Sequence, residues 1–170
     1  MLSKVLDKST CAECRFCCSF RRCSLWETPL FDMETVDRLL KKQNNEKSFV
    51  VKKANGAEYG QMDLLYKYKT DDPQEEAPCD YLDPHRGCIL DNQDKPFDCK
   101  IWPLRIMKME NGRLVIALTP TCPAINKQPL SVMKELVADG LGDTIYQYAK
   151  DHPFIIKEYH EGFPVLKEFD

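Results

Sequence analysis

Residues 11–23 read CAECRFCCSFRRC and hold Cys11, Cys14, Cys17, Cys18 and Cys23, five of the nine cysteines of a 170-residue chain. Two cysteines separated by two residues can wrap one turn around a metal, and Cys11, Cys14 and Cys17 form two such overlapping pairs. Three sulfurs complete neither a tetrahedral zinc sphere nor the four-cysteine ligation usual for an iron-sulfur cluster. A bacterial ferredoxin would carry its next cysteine four residues after the third, followed by proline; that position is Arg21, so the simple ferredoxin reading fails. Completion is left to Cys18 or to the distant set Cys79, Cys88, Cys99 and Cys122. Neighbouring side chains tend to point apart, so Cys17 and Cys18 suit two metals, or two irons of one cluster, better than one zinc. Leaving out Cys23, eight cysteines suffice for two four-thiolate sites, or for one site plus thiols of other use.

The rest of the sequence sets the context. At 19.7 kDa, with 43% hydrophobic and 30% charged residues, the chain has the size and composition of a single globular domain over residues 1–170. No window approaches the roughly 18 apolar residues of a membrane span. Lys4, Asp7 and Lys8 interrupt the place where a secretory signal would be apolar, so a cytoplasmic protein is expected, where clustered thiols serve metals or redox chemistry more often than disulfides. A net charge of -3 offers no footprint for nucleic acid. Arg15, Arg21 and Arg22 crowd the cysteines, either as solvated surface or to offset charge on metal-bound thiolates.

Residues 31–45 predict an amphipathic helix, with Met33, Val36, Leu39 and Leu40 on one face and Asp32 as N-cap. Two hairpins are expected, over 48–69 with its turn at Asn55–Gly56 and over 104–120 with its turn at Asn111–Gly112. Residues 70–78 read as an exposed acidic loop leading to Cys79, and 79–103 as loop-rich. A second long helix is expected over 129–152, with Gly140 and Gly142 as its weak points, followed by a tail that packs back through Phe154, Ile155, Phe163 and Leu166. The expected fold is α+β: metal-centred loops, two hairpins and two longer helices.

The cysteine framework resembles the YkgJ-like cysteine-cluster family, the CxxCxxCC zinc- or iron-chelating proteins that include flagellin lysine N-methylase. The resemblance runs through Cys11, Cys14, Cys17 and Cys18, then Cys79 with Tyr81 and Leu82, Gly87 with Cys88 and Leu90, and Lys95, Pro96, Cys99, Lys100, Trp102 and Pro103. It ends at Cys122–Pro123 and so covers residues 11–123, leaving 124–170 as a C-terminal helix and tail. Family members commonly have glycine where this chain has Arg15, and arginine at Lys95 and Lys100. The resemblance implies metal chelation by Cys11, Cys14, Cys17, Cys18, Cys79, Cys88, Cys99 and Cys122. An iron-sulfur cluster of the 4Fe-4S kind is preferred over zinc, because the adjacent-cysteine pattern is not the two clean pairs of a zinc site. Redox or protein and peptide modification is the use it implies, with an unidentified protein or peptide partner. The alternative is a zinc-stapled module that binds another protein.

Phe16, Phe20, Phe97 and Trp102 lie beside these cysteines in sequence, either as a shield for a cluster or as ordinary core aromatics. His85 is the histidine near the second cysteine block and reads as loop surface rather than ligand, while Asp80, Asp83, Asp91, Asp94 and Asp98 read as turn formers and solvated charge. The glycine pair in ADGLGD (138–143) reads as a helix interruption rather than a cofactor loop, so methylase activity is not carried over.

Overall fold

The cysteine-rich segment begins as a helix and ends as a strand. In the computed structural model, which describes residues 5, 8–43 and 49–169, helix α1 (Lys8–Cys14) stops at Arg15, whose left-handed backbone (φ 52°) ends the run as its N–H bonds back to the Cys11 carbonyl. A 3-10 turn over Phe16–Cys18 then leads into strand β1 (Ser19–Arg21). A second 3-10 turn, Arg22–Glu27, carries the chain to strand β2 (Leu30–Phe31).

Helix α2 (Met33–Gln43) starts where its capping residue predicts. Asp32 accepts from the Thr35 N–H at 2.8 Å and from the Thr35 hydroxyl at 2.9 Å, and Val36 and Leu39 are buried. Strands β3 (Phe49–Ala54) and β4 (Ala57–Met62) form the first expected hairpin, with both Asn55 and Gly56 at positive φ, and β2 adds antiparallel to β4. Asn44, Asn45 and Ser48, which the expected elements include, lie outside the described residues, as do Lys4 and Asp7.

The acidic loop is shorter than its composition suggests. Its second half is strand β5 (Glu76–Pro78), antiparallel to β1, and its first half is held by Glu75, which accepts from the Lys69 and Thr70 N–H groups and the Thr70 hydroxyl. Those backbone donors hold the Glu75 carboxyl below its ordinary range. The loop-rich stretch that follows contains the small hairpin β6 (Leu82–Asp83) and β7 (Gly87–Cys88), then helix α3 (Phe97–Ile101).

Strands β8 (Leu104–Lys108) and β9 (Leu114–Leu118) form the second expected hairpin, where Asn111 accepts from the Arg113 N–H and Gly112 takes φ 86°. Helices α4 (Leu130–Leu136) and α5 (Gly142–Asp151) are one helical stretch broken by a π-type turn over Val137–Leu141, with Gly140 at φ 91°, so the interruption falls where the glycines predict. The tail does more than pack back. Strand β10 (Lys157–Glu158) pairs parallel to β8 and strand β11 (Val165–Phe169) antiparallel to β9, giving a four-stranded sheet ordered β10-β8-β9-β11. The fold is α+β.

The described residues divide into two compact units, one of 8–43, 49–52 and 58–99, the other of Val5, Lys53–Ala57 and 100–169. The first is built on a core of Phe20, Phe31, Val36, Leu39, Met62, Leu64, Tyr68, Ala77 and Tyr81. In it the Tyr68 hydroxyl donates to the Phe20 carbonyl at 2.7 Å, which ties the core to β1. In the second, the Asn55 side-chain amide donates to the Pro153 and Ile156 carbonyls, and the Arg105 guanidinium, 1% exposed, stacks 4.6 Å over the Trp102 ring. Among the described residues no helix is long and apolar enough to cross a membrane.

Gly60 on β4 faces α2 so closely that a Cβ there would lie 2.4 Å from Val36 Cγ2. Gly60→Ala is expected to cost about 1–3 kcal/mol through overpacking. Adding Val36→Ala should recover part of that loss, giving non-additive stabilities in a double-mutant cycle measured by denaturant unfolding.

Candidate metal centre

Antiparallel pairing of β1 with β5 brings the two cysteine blocks together. The register sets Phe20 opposite Ala77 and Ser19 opposite Pro78, and the next pair outward is Cys18 and Cys79, joined by the Cys79 N–H donating to the Cys18 carbonyl at 2.8 Å. Within the strands Phe20 (3% exposed) and Ala77 (1%) face the core, and Cys79 packs against the same core. The opposite face is solvent, where Ser19 and Arg21 both reach Glu76.

Cys79 is half-buried. Its sulfur accepts the Tyr81 N–H at 3.4 Å and contacts the Met62 thioether sulfur at 3.7 Å. Burial pushes its thiol up to about 12, while the Tyr81 N–H pulls the other way, as a backbone donor to a thiolate would. The Cys17 thiol is also raised, first by its hydrogen bond with the Cys18 thiol and then by burial. The tight turn over Phe16–Cys18 thus turns these neighbouring side chains toward each other instead of apart. At neutral pH both thiols carry their protons, which a metal taking them would displace.

Cys11, Cys14 and Cys88 are exposed and belong to two elements in contact. Helix α1 lies on β7, where Ala12 packs so near Gly87 that a Cβ on the glycine would sit 3.3 Å from the alanine Cβ. Gly87 also takes φ 77°, and Cys88 follows it. The β6–β7 pairing sets Cys88 opposite Leu82. Cys99, also exposed, sits in α3. Eight of the nine cysteines therefore fall in one compact unit, and the buried Cys122 lies in the other. None forms a disulfide. Among the described residues no three His, Cys, Asp or Glu side chains converge in a metal-holding arrangement, so the thiols would have to close on an ion.

The polar neighbours are mostly spent on folding. Arg15 donates through Nε to the Ala12 carbonyl; Arg22 reaches the Thr70 carbonyl and Asp71 and lies over the Tyr68 ring. Asp80 pairs with Lys67, which also donates to the Pro78 carbonyl. Asp83 accepts the His85 and Arg86 N–H groups, which lower its carboxyl and hold His85 in an exposed turn. Asp94 and Asp98 depart from the solvated-charge expectation, being 2% and 1% exposed. Asp94 is bonded by Lys42 and Arg38 of α2, and Asp98 accepts the Leu30 N–H. Phe20 and Phe97 are buried, but Phe16 is exposed, with the Arg21 guanidinium over its ring. His152 stacks on Tyr148, and His160 on Phe163.

The sequence reading missed helix α1, the β1–β5 pairing and the place of Met62. Alternation through Ser19, Phe20 and Arg21 was the available signal for β1. Compared with family models, curated proteins and solved structures, the chain matches none of them.

Two predictions follow from these local contacts. The Lys42 hydrogen bond, against the cost of burial, lowers the Asp94 carboxyl. Its stabilisation is full above the unfolded carboxyl value of roughly 4 and is lost as pH falls through the lower folded value. Acid unfolding monitored from pH 6 to 2 should show that component in the parent and not in Asp94→Asn. At Arg15, glycine and alanine both delete the guanidinium bond, but only alanine keeps a Cβ in the left-handed region. Arg15→Gly should therefore be more stable than Arg15→Ala by about 1 kcal/mol in thermal denaturation.

Proposed function

We propose that this chain is a cysteine-cluster metalloprotein of the YkgJ-like type, working in the cytoplasm. Its thiolates come from Cys11, Cys14, Cys17 and Cys18 together with Cys79, Cys88, Cys99 and Cys122. The observation that carries the reading is the β1–β5 pairing, which makes Cys18 and Cys79 backbone partners while the Cys79 sulfur accepts a backbone N–H suited to a thiolate. The left-handed Arg15 adds support, because it occupies the position where the resembled family commonly carries glycine, and glycine takes that conformation without strain. An all-sulfur donor set without an engaged histidine suits an iron-sulfur cluster of the 4Fe-4S kind, and zinc is the alternative.

When bound, such a cluster supplies one-electron transfer. The protein's own part is to hold the sulfurs: Tyr81 N–H toward Cys79, Phe20 and Met62 behind it, and Arg21 and Arg22 engaged in keeping β1 and its flank in place. Redox work or modification of a protein or peptide is the use we assign to it.

Anaerobic purification, a visible spectrum, and iron, sulfide and zinc analysis on one sample test the reading. The expected sample is brown, with iron and acid-labile sulfide that are lost in Cys18→Ser and Cys79→Ser and retained in Cys23→Ser. A colourless protein with stoichiometric zinc would make the centre a structural staple. Metal content indifferent to all three substitutions would refute chelation by this framework.

A further inference from the structure

Strand β3 (Phe49–Ala54) is the outermost strand of its sheet, ordered β2-β4-β3, and among the described residues no strand pairs with its outer edge. Val50, Val51, Lys52 and Lys53 are all exposed, so neither face of the strand is covered. Its course is nevertheless fixed. Phe49 packs edge-on against Phe31 with ring centroids 4.9 Å apart, and Asn55 and Gly56, both at positive φ, close a two-residue turn. Residues flanking such a turn form a hydrogen-bonded pair, and the pairs then alternate, so Val50, Lys52 and Ala54 bond to β4 while Val51 and Lys53 turn their N–H and carbonyl groups outward. Side chains alternate too, giving each face a valine and a lysine: Val50 and Lys52 on one, Val51 and Lys53 on the other. Lys52 Nζ goes to the neutral Gln61 amide oxygen at 2.6 Å, and among the described residues neither lysine forms an ion pair, not even Lys53 with Glu58 across from it on β4.

We infer that the outer edge of β3 receives an extended acidic segment of a partner protein as an added strand. The outward backbone groups of Val51 and Lys53 supply the ladder bonds, and branched apolar side chains of the partner cover Val50 and Val51. Carboxylates opposite Lys52 and Lys53 set the register. The same lysines decide which strand joins. A second copy pairing through this edge would bring four lysines together on one short ladder, a like-charge arrangement that guards an edge against its own kind, whereas carboxylates at those places are favourable. No cysteine takes part, and the inference does not depend on bound metal.

The test titrates the full, isotope-labelled chain with two synthetic peptides written to lie antiparallel to β3: acetyl-Thr-Glu-Glu-Val-Val-Thr-amide, and the same peptide with lysine in place of both glutamates. Amide chemical shifts read affinity, and amide hydrogen exchange reads place. The acidic peptide should bind at least ten times more tightly than the basic one and slow exchange several-fold at the Val51 and Lys53 amides. Lys52→Glu combined with Lys53→Glu should reverse the preference. Val51→Pro removes one outward donor at an edge position that tolerates proline, and should weaken binding of the acidic peptide several-fold while leaving the exchange of the β4 amides unchanged. Equal affinity for the two peptides, no binding of the acidic one at millimolar concentration, or slowed exchange confined to residues outside β3 overturns the inference. Exchange at β3 that slows with protein concentration alone gives the edge to a second copy and overturns it as well. Should Val51→Pro fail to fold, the charge reversal decides alone.

Discussion

The pairing of β1 with β5 is the constraint on which the cysteine unit depends. It joins residues about sixty apart in sequence through three backbone-registered pairs, and one more step of that register sets Cys18 beside Cys79. A slip of one strand by one residue would turn its inward residue, Phe20 or Ala77, out of the core. The hydrophobic requirement of Phe20 and Ala77 therefore holds the register in which Cys18 and Cys79 are backbone partners. Tyr68 reinforces this from beneath by bonding the Phe20 carbonyl. On the outer side, Arg21 to Glu76 and Arg22 to Thr70 fasten the same two segments in water, where such contacts contribute little individually.

What the sequence made legible were the elements with strong local signals. Asp32 ahead of Met33 and Val36, the Asn-Gly pairs at 55–56 and 111–112, and the glycine at 140 each determine geometry through their own backbone preferences, and each is found doing so, while Gly142 takes ordinary helical dihedrals at the start of α5. The short elements were not legible. Strands of two or three residues, such as β1, β5 and β7, have no periodicity to detect. The C-terminal strands carry mixed residues because they lie at the edges of the sheet, with the apolar centre supplied by β8 and β9.

The same division applies to the site. The identity of the cysteines was plain from spacing, but not their standing relative to one another. That depends on tertiary contacts: Met62 against Cys79, Ala12 against Gly87, and the turn that faces Cys17 toward Cys18. The aspartates mislead for a related reason. In sequence they look like loop charge, yet Asp94 and Asp98 are interior because Arg38, Lys42 and the Leu30 N–H come to them from segments more than fifty residues earlier.

Arg15 shows why a departure from an expected residue need not alter the geometry. Helix α1 carries Cys11 and Cys14 one turn apart and ends at once, because Phe16–Cys18 form a 3-10 turn that leads straight into β1. Ending a helix that abruptly calls for a left-handed residue, whatever its side chain. Glycine fills the place without strain; arginine fills it with strain, and offsets part of the cost by bonding the Ala12 carbonyl with its own guanidinium. The spacing of the cysteines dictates the turn, and the turn then limits what may stand between them.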